Sequence, residues 1–333
     1  MNASVMLLAA GRSTRLGPLG LALPKPLVPI CGHPAIAFGL RAAARAGARR
    51  AIVNVFHRGD LIRAALGDGR ALGIALDYSV EAELLGTGGG VAAARAALGP
   101  GPVLVMNAKV VADLDLPALL ATHARAPASA TMLLRDDPTP EKWGAIGVDA
   151  AGRVVSILDA RSPRAPEGPV TLRMFTGVHV LAPALLDRLQ PVFSDVIRDA
   201  YIPALLDGEI IRADRLTGYF AEHSTPARYL AGNLALLRAP SLVRDPPGPL
   251  SGIDPAARVS NQARVIGPVR IAAGAEIQAG AEVGPDVVID PGARVAAGAR
   301  LSRAVVWSGA TATGDVSDAV VTPTGVVAVE PAP

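Results

Sequence analysis

Between residues 3 and 235, short apolar runs alternate with segments of helical periodicity. The apolar runs predict strands at Val5–Ala10, Ala51–Phe56, Ile74–Ser79, Pro102–Asn107 and Ala130–Leu134. The segments between them predict helices at Pro34–Ala46, Leu61–Leu66, Gly88–Leu98 and Leu116–His123. Strands that alternate with helices indicate an α/β domain with a largely parallel sheet. Because ligands bind beyond the carboxyl ends of such strands, we expect the loops after Ala10, Ser79 and Asn107 to surround one crevice.

From residue 253 onward the hydrophobic pattern changes to a period of six. An aliphatic or aromatic residue recurs at Ile253, Val259, Val265, Ile271, Ile277, Val283, Ile289, Val295, Leu301 and Trp307. This period matches neither a helix nor an exposed strand, and it predicts a parallel β-helix whose coils stack one aliphatic residue on the next. Between the two patterns, Ala239–Gly252 is rich in Pro and Gly. We therefore predict a first domain at residues 1–238, a linker at 239–252 and a repeat domain at 253–333.

Composition excludes several classes of protein. Half of the 333 residues are hydrophobic, the formal net charge is +3, and there is one cysteine, Cys31. These values exclude an internal disulfide framework and a multi-cysteine metal site, and they disfavour disorder. No basic run or basic patch interleaved with aromatics indicates nucleic-acid binding. The apolar stretches are shorter than a membrane span, and Met1–Ala10 lacks a basic signal-peptide start. The sequence predicts a soluble, cytoplasmic protein with neither a membrane nor a nucleic acid as partner.

The glycine-containing loop after the first predicted strand is the main candidate for chemistry. Main-chain amides of Ala10–Ser13 could cradle an anion, Arg15 offers a planar fork for phosphate oxygens, and Lys25 adds a point charge. The loop lacks a Walker GxxxxGK[ST] and a clean GxGxxG. By itself it fits equally well a surface turn with two solvated cations.

Residues 8–29, LAAGRSTRLGPLGLALPKPLVP, resemble the signature of sugar-1-phosphate nucleotidyltransferases, usually written LAGGxGTRLxPLTxxxPKPLxP. Further segments match in the family's order, namely EAELLGTGGG at 81–90, WGAIGV at 143–148, DAAGRVV at 149–155, FTGVHVLAP at 175–183 and PARYLAGN at 226–233. Subtypes that act on mannose-1-phosphate or N-acetylmuramate-1-phosphate look most similar. The resemblance implies a Rossmann-like domain with a mostly parallel sheet, followed, as in many members, by a left-handed parallel β-helix.

The resemblance also implies substrates and site residues. A nucleoside triphosphate and a sugar-1-phosphate would react to a nucleotide-sugar and pyrophosphate. Arg15 and Lys25 would be catalytic. The nucleotide would be bound by Leu8, Ala9, Ala10, Gly11, Ser13, Thr14, Glu83, Thr87 and Gly88. The sugar would be bound by Gly144, Asp159, Thr176 and Gly177.

The chain departs from the family at the expected metal site. Members hold Mg²⁺ with an aspartate in N-x-D and another in D-x-G-T, but here these positions are Lys109 and Glu222. A protonated lysine cannot ligate Mg²⁺, and Glu222 alone is a weak candidate ligand. Mg²⁺ is expected from the family and is doubtful in this chain. Either Lys109 supplies part of the metal's charge, or the chain binds a nucleotide-sugar without turnover.

The repeat domain shows no sign of a second active site. Hexapeptide acyltransferases typically use a histidine base, and no histidine follows His223. The β-helix is therefore predicted to serve in oligomerisation or regulation, and a homo-oligomer, or an assembly with an active paralogue, is expected. Three classes stay open: an active nucleotidyltransferase, a binding or regulatory paralogue, and a scaffold without ligand.

Overall fold

A computed structural model describes residues 3–125 and 127–330. The ends of the predicted first and repeat domains, residues 1–2 and 331–333, lie outside the described residues. The chain forms two compact units. The first comprises residues 3–11 and 39–220, apart from 126, and the second comprises 12–38 and 221–330.

The elements follow in chain order. Strands up to residue 222 are β1 (Ser4–Leu8), β2 (Pro29–Ile30), β3 (His33–Pro34), β4 (Arg50–Val55), β5 (Ala75–Val80), β6 (Val103–Asn107), β7 (Val110–Ala112), β8 (Ala130–Arg135), β9 (Ile146–Val148), β10 (Val154–Ile157), β11 (Ala160–Arg161), β12 (Thr171–Leu181), β13 (Ile211–Arg215) and β14 (Phe220–Glu222). Later strands are β15 (Gly252–Ile253), β16 (Arg258–Val259), β17 (Arg264–Val265), β18 (Val269–Ile271), β19 (Glu276–Ile277), β20 (Glu282–Val283), β21 (Val287–Ile289), β22 (Arg294–Val295), β23 (Arg300–Val306), β24 (Thr311–Ala312), β25 (Asp315–Thr322) and β26 (Gly325–Ala328).

The α-helices are α1 (Pro18–Ala22), α2 (Ala35–Arg45), α3 (Gly59–Leu66), α4 (Gly86–Ala93), α5 (Arg95–Leu98), α6 (Leu116–Ala124), α7 (Pro183–Leu186), α8 (Ile202–Leu206) and α9 (Pro226–Arg238). Short 3-10 helices lie at Thr14–Leu16, Lys25–Leu27, Arg70–Leu72, Pro140–Trp143 and Pro240–Leu242, and a π-helical turn at Ile197–Tyr201. Within the described part of the chain, none of the helices has the length and hydropathy of a bilayer span.

The first unit is built on a mixed sheet whose centre is parallel. β6, β1, β4 and β5 lie side by side in that order, and each neighbouring pair is parallel. On the other side of β6, the long strand β12 runs antiparallel and is paired in turn with β8 and β9. The predicted α/β domain and its five strands are confirmed. Because β1, β4, β5 and β6 end at one edge, the loops that follow them share that edge.

The sheet of the first unit is buried by aliphatic side chains. Strand positions such as Met6, Val105 and Met132 are 2% exposed or less and pack with helical residues of the π-helical turn and α8, including Tyr201 and Leu205. The apolar runs form strands because both faces of the sheet are covered by helices, which removes the alternation expected of a half-exposed strand.

The second unit contains the predicted parallel β-helix. In its first coils, parallel neighbours lie 18 residues apart, as in Ile253 with Ile271 and Ile271 with Ile289. This spacing equals three six-residue steps. The spacing then falls to 17, because Ile289 pairs with Val306. The prediction that Trp307 continues the stack is therefore wrong: Val306 fills that position.

Helix α9 packs along the coils of the second unit. The Arg238 guanidinium holds the Asp286 carboxylate with two hydrogen bonds, of 2.8 Å and 2.6 Å. The Trp307 indole N–H donates to the Tyr229 hydroxyl at 2.8 Å, which explains why this tryptophan faces the helix. Asn233 on the same helix accepts the Cys31 N–H at 2.8 Å and so fixes the β2–β3 turn.

Candidate functional site

The main chain beyond β1 in the first unit is held by two hydrogen bonds. The Ala9 N–H donates to the Asn54 side-chain oxygen at 2.8 Å, and the Ala108 N–H donates to the Leu8 carbonyl at 3.1 Å. Ala9 and Ala10 are buried, whereas Gly11 is exposed. Of the predicted nucleotide-binding residues in this unit, Leu8 ends strand β1 and Ala9 to Gly11 follow it, so these hydrogen bonds fix the main chain where they begin.

A buried polar network links β4 to the segment after β5. The Asn54 amide donates to Glu81 Oε1 at 2.7 Å, and Glu81 Oε2 accepts the Leu85 N–H at 3.0 Å. Asn54 and Glu81 are 1% and 5% exposed. A Cβ on Gly90 would lie 2.7 Å from Asn54 Nδ2 and 2.8 Å from Glu81 Oε1, so this position accepts only glycine. The network connects the main chain at Ala9 with the start of α4.

The structure gives protein partners to the predicted nucleotide-binding residues at the start of α4. The Gly88 N–H donates to the Ser194 carbonyl at 3.0 Å, and the Thr87 hydroxyl donates to Asp195 at 3.3 Å. A Cβ on Gly88 would lie 2.6 Å from Ser194 Oγ, so the glycine permits this close packing. Glu83 is exposed on the preceding segment. Gly88 therefore allows α4 to pack closely against Ser194. A ligand-binding role for Thr87, Gly88 and Glu83 stays a prediction.

Lys109 lies in the turn between β6 and β7. It is half-buried, and it follows Asn107 at the end of the strand. Gly177 in β12 has a φ of 78°, and a Cβ there would collide with the Asn107 side chain. The turn with Lys109 and the predicted sugar-binding Gly177 are thereby brought together in the first unit.

The remaining predicted sugar-binding residues lie around β10 and β12. Gly144 has a φ of 79°, and a Cβ there would lie 2.9 Å from Leu158 Cδ2, next to the exposed Asp159. The structure thus brings Gly144 close to the turn that contains Asp159. Thr176 differs, because it is 2% exposed and its hydroxyl donates to the Leu133 carbonyl at 2.6 Å within the sheet. Its hydroxyl stabilises an irregularity in the pairing of β12.

In the second unit, the predicted phosphate-binding cations lie on one short segment. Ser13 is buried, and its hydroxyl accepts the Lys25 N–H at 2.9 Å, which ties the two ends of the loop together. Thr14 and Arg15 begin a 3-10 helix and are exposed. The side chain of Arg15 is 61% exposed. Ser13 therefore positions Lys25, while Arg15 projects towards solvent.

Glu222 is surrounded by hydrogen-bond donors in the second unit. Its carboxylate accepts the Ser224 hydroxyl at 2.6 Å and the Arg228 guanidinium at 3.1 Å. Arg15 lies 3.8 Å from the other carboxylate oxygen. With 9% of Glu222 exposed, these donors satisfy a buried charge.

A family model described as nucleotidyl transferase matches residues 4–190. That match covers more than half of the 333 residues. The chain belongs to the nucleotidyl transferase family.

Named relatives lie in the same family. The mannose-1-phosphate guanylyltransferase of Mycobacterium tuberculosis is 33% identical to this nucleotidyl transferase over 240 residues, which are 71% of this chain and 66% of that protein. The mannose-1-phosphate guanylyltransferase catalytic subunit beta of Drosophila pseudoobscura pseudoobscura is 28% identical over 230 residues, 68% of this chain and 60% of that protein. The match therefore spans less than two thirds of either relative's length.

A solved structure shares the fold. HddC from Yersinia pseudotuberculosis superimposes with a TM-score of 0.58 at 22% identity, over 70% of this chain and 99% of that chain. At this identity the likeness shows the fold alone, and it agrees with the α/β architecture of the first unit.

The metal donors expected of a nucleotidyl transferase are not assembled. In residues 3–125 and 127–330, no group of three or more His, Cys, Asp or Glu side chains lies close enough together to hold a metal ion. Lys109 is a cation at one expected position, and Glu222 is bound to Ser224 and Arg228 at the other. Mg²⁺ requires several oxygen ligands in octahedral geometry. The residues present do not fit a Mg²⁺ site.

Sequence reasoning missed the residues that position this site. Asn54 was not predicted to have any role, and Glu81 was noted only as part of a motif. The signal was present: Asn54 is a single polar residue in the apolar run AIVNV. A polar side chain inside a buried strand needs hydrogen-bond partners. The Asn54 oxygen accepts the Ala9 main-chain N–H, and the Asn54 amide donates to the Glu81 carboxylate.

Proposed function

We propose that this nucleotidyl transferase joins a nucleoside triphosphate to a sugar-1-phosphate, with GTP and mannose-1-phosphate as the substrates to test first. The observation that carries the proposal is the Asn54–Glu81 network, which fixes the main chain at Ala9 and at Leu85. Both residues lie in segments, residues 8–29 and 81–90, that resemble motifs of the family and contain predicted nucleotide-binding residues. The two mannose-1-phosphate guanylyltransferases named above support the choice of substrates.

In this reaction a phosphate oxygen of the sugar-1-phosphate attacks the α-phosphorus of the triphosphate. The new O–P bond forms in line with the bond that breaks, and pyrophosphate leaves with the electron pair of that bond. Little covalent chemistry is required of the protein, so its residues contribute positioning and charge. Lys25 neutralises the α-phosphate, and Arg15 holds the β- and γ-phosphates.

The contact of Arg15 with Glu222 is compatible with this role. The two groups lie 3.8 Å apart and the arginine side chain is 61% exposed, so the ion pair is weak and easily exchanged. A triphosphate offers pairs of phosphate oxygens of higher charge, to which the planar guanidinium binds in a bidentate manner and more strongly. Glu222 keeps Ser224 and Arg228 when Arg15 turns to the phosphates.

Lys109 supplies positive charge at a position where the family has a metal-binding aspartate. One unit charge about 4 Å from a phosphate is worth roughly 4 kcal/mol at an effective dielectric constant of about 20, before desolvation. That magnitude is sufficient for a lysine to replace part of a metal ion's effect. We propose that transfer, in this chain, does not depend on added Mg²⁺.

A second candidate function is a binding or regulatory paralogue that holds a nucleotide-sugar without turnover. The substitution of both metal-binding aspartates, by Lys109 and Glu222, favours it. Such a protein would assemble with an active paralogue. Oligomerisation through the β-helix and a cytoplasmic location stay predictions for both candidates.

The purified full chain distinguishes these functions. Nucleotide-sugar formation is followed by chromatography for each pairing of GTP, UTP, ATP and dTTP with mannose-, glucose- and N-acetylmuramate-1-phosphate, with Mg²⁺ or with EDTA. Turnover that persists in EDTA supports metal-independent transfer. Turnover that EDTA abolishes retains the transferase and rejects the role of Lys109. Tight binding of GDP-mannose without turnover selects the paralogue, and absence of both binding and turnover rejects both functions.

A further inference from the structure

Ser13 has a backbone conformation that residues with a side chain rarely adopt. Its φ is 60° and its ψ is 15°, in the left-handed region where the Cβ is crowded by the main chain. The signature that residues 8–29 resemble has glycine at this position, and glycine adopts the conformation without that crowding. A strained conformation persists only where the surrounding contacts stabilise it. Ser13 is 3% exposed, so these contacts come from the protein itself.

Three contacts hold Ser13 in place within the second unit. Its carbonyl oxygen accepts the Leu16 N–H at 3.1 Å, in the 3-10 helix that contains Arg15. A Cβ on Gly20 would lie 2.5 Å from the same oxygen, so α1 packs directly against it. The Ser13 hydroxyl accepts the Lys25 N–H at 2.9 Å. Ser13 therefore joins the turn that contains Arg15 to the segment that contains Lys25.

The sequence around Lys25 makes its N–H the donor that Ser13 receives. Pro24 and Pro26 have no N–H, so Lys25 has the one main-chain donor of this tripeptide. Both prolines are buried, whereas Lys25 is half-buried. The Leu27 N–H donates to the Pro24 carbonyl at 2.8 Å and closes the short 3-10 turn that Lys25 begins. The start of this turn is thus held by a side chain, and its end by the main chain.

The hydrogen bond from Lys25 to Ser13 closes a loop at residues 13–25. Arg15 lies two positions after Ser13, so one hydroxyl connects the main chain near both predicted phosphate-binding cations. A loop that becomes ordered only when a ligand arrives costs conformational entropy, and a loop closed in advance avoids this cost. The Ser13 oxygen is buried and already accepts a hydrogen bond, which favours an effect through Lys25 over direct contact with a ligand.

We propose that Ser13 is a positioning residue for anion binding: its hydroxyl holds the Lys25 main chain, so that Lys25 and Arg15 act together on one triphosphate. Ser13 itself does not touch the triphosphate. This role rests on the proposed function for the identity of the anion. It goes beyond that function because it assigns Ser13, which the family resemblance makes a nucleotide-binding residue, to the placement of Lys25.

Calorimetric titration of inorganic tripolyphosphate into the full chain tests this role without requiring turnover. Ser13→Ala removes the hydroxyl and should weaken binding by about fivefold or more. Lys25→Gln should also weaken binding, and adding Ser13→Ala to it should cost less than about a further twofold, because both changes act through Lys25. Ser317→Ala, exposed on β25, should bind like the unmodified chain.

Three results of this titration overturn the proposal. The first is that the unmodified chain does not bind tripolyphosphate, and the second is that Ser13→Ala binds it equally well. The third is an equal loss from Ser13→Ala with Lys25 and with Lys25→Gln, which would mean that Ser13 touches the anion or acts on the fold in general. Ser13→Gly keeps the test decisive if Ser13→Ala does not fold. It removes the hydroxyl and relieves the left-handed strain, so undiminished binding by Ser13→Gly also overturns the proposal.

Hydrogen exchange gives a readout that needs no ligand. A peptide of residues 23–28, followed by mass spectrometry, reports on Lys25 because Pro24 and Pro26 have no amide hydrogen. Exchange there should be faster by about fivefold or more in Ser13→Ala and Ser13→Gly. Exchange unchanged by both substitutions contradicts the role of the hydroxyl. Failure of the proposed function is a separate result: a chain that binds tripolyphosphate as expected but forms no nucleotide-sugar is not a transferase, and this role of Ser13 stands.

Discussion

The Asn54 amide donates to Glu81 at 2.7 Å, while its oxygen accepts the Ala9 N–H at 2.8 Å. One side chain thereby connects the loop after β1 with the segment after β5. The Asn54 and Glu81 side chains are nearly fully buried, so their hydrogen bonds form in a region of low dielectric constant. In such a region a hydrogen bond is strong, and the loss of one is costly. The pair holds the main chain of two segments that resemble ligand-binding motifs, and its own side chains are buried.

Glu81→Gln should destabilise the first unit. The amide cannot accept from both Asn54 and the Leu85 N–H, so one buried donor loses its partner. We expect the free energy of unfolding to fall by about 1–3 kcal/mol, measured by urea denaturation. Glu83→Gln is the matched control, since Glu83 is exposed, and should change stability by less than about 0.5 kcal/mol. Equal effects of the two substitutions would show that the network contributes nothing.

Tyr229→Phe should destabilise the second unit. The hydroxyl donates to the Pro29 carbonyl at 2.6 Å and accepts the Trp307 indole N–H at 2.8 Å. Its removal leaves the indole N–H without this acceptor, and leaves the Pro29 carbonyl with only the longer hydrogen bond from the Asn233 amide, at 3.4 Å. We expect a loss of about 1–3 kcal/mol and a change in tryptophan emission. For Tyr78→Phe, whose hydroxyl donates at a solvent-accessible site, the loss should stay below about 1 kcal/mol. A stable Tyr229→Phe variant with unchanged emission would contradict the structure.

The strands and their parallel order could be predicted because they depend on local patterns. Apolar runs such as Ala51–Phe56 and Pro102–Asn107 are too short for a helix of normal length and are bounded by loop residues, so they indicate buried strands. The β-helix was predictable for a similar reason, since a period of six has no other common structural origin.

Two features could not be predicted from local patterns: that Val306 rather than Trp307 pairs with Ile289, and which residues Thr87 contacts. The coil shortens to 17 residues between Ile289 and Val306, and Trp307 instead donates a hydrogen bond to Tyr229, which lies on α9 and is 78 positions away. Thr87 meets Asp195, which is 108 positions away in the chain. Contacts at such separation depend on the complete fold, and a motif does not encode them.

Stability should depend on pH through Asp290. Burial raises its pKa from 3.8 to about 8, with Arg270, Cys31 and Tyr229 as the neighbouring charged or titratable groups. Between about pH 4 and pH 8 the folded state holds a proton that the unfolded state has lost, so the free energy of unfolding falls as pH rises, by up to about 1.4 kcal/mol per pH unit.

Asp290→Asn removes this dependence. The variant should match the unmodified chain near pH 4 and become increasingly more stable than it towards pH 8. Urea denaturation followed by Trp307 fluorescence, in a Trp143→Phe background, reports on the second unit. Because the comparison is a difference, it cancels the opposite trend from His179, whose pKa burial lowers to about 3. If the free energies of unfolding of the two proteins change equally with pH, the pH dependence does not come from Asp290.

Lys109 is expected to determine how GTP binding responds to Mg²⁺. In EDTA, Lys109→Asp should weaken GTP binding by at least about tenfold, because a negative charge replaces a positive one near the phosphates. Mg²⁺ should restore binding to this variant, whose aspartate can ligate the ion, and should change binding by the unmodified chain little. Calorimetric titration with and without Mg²⁺ measures both effects, and Arg258→Ala, on the β-helix surface, serves as the charge control. If GTP binds equally to all three proteins in EDTA, Lys109 does not replace the metal's charge, and the binding role of the turn after β6 must be given up.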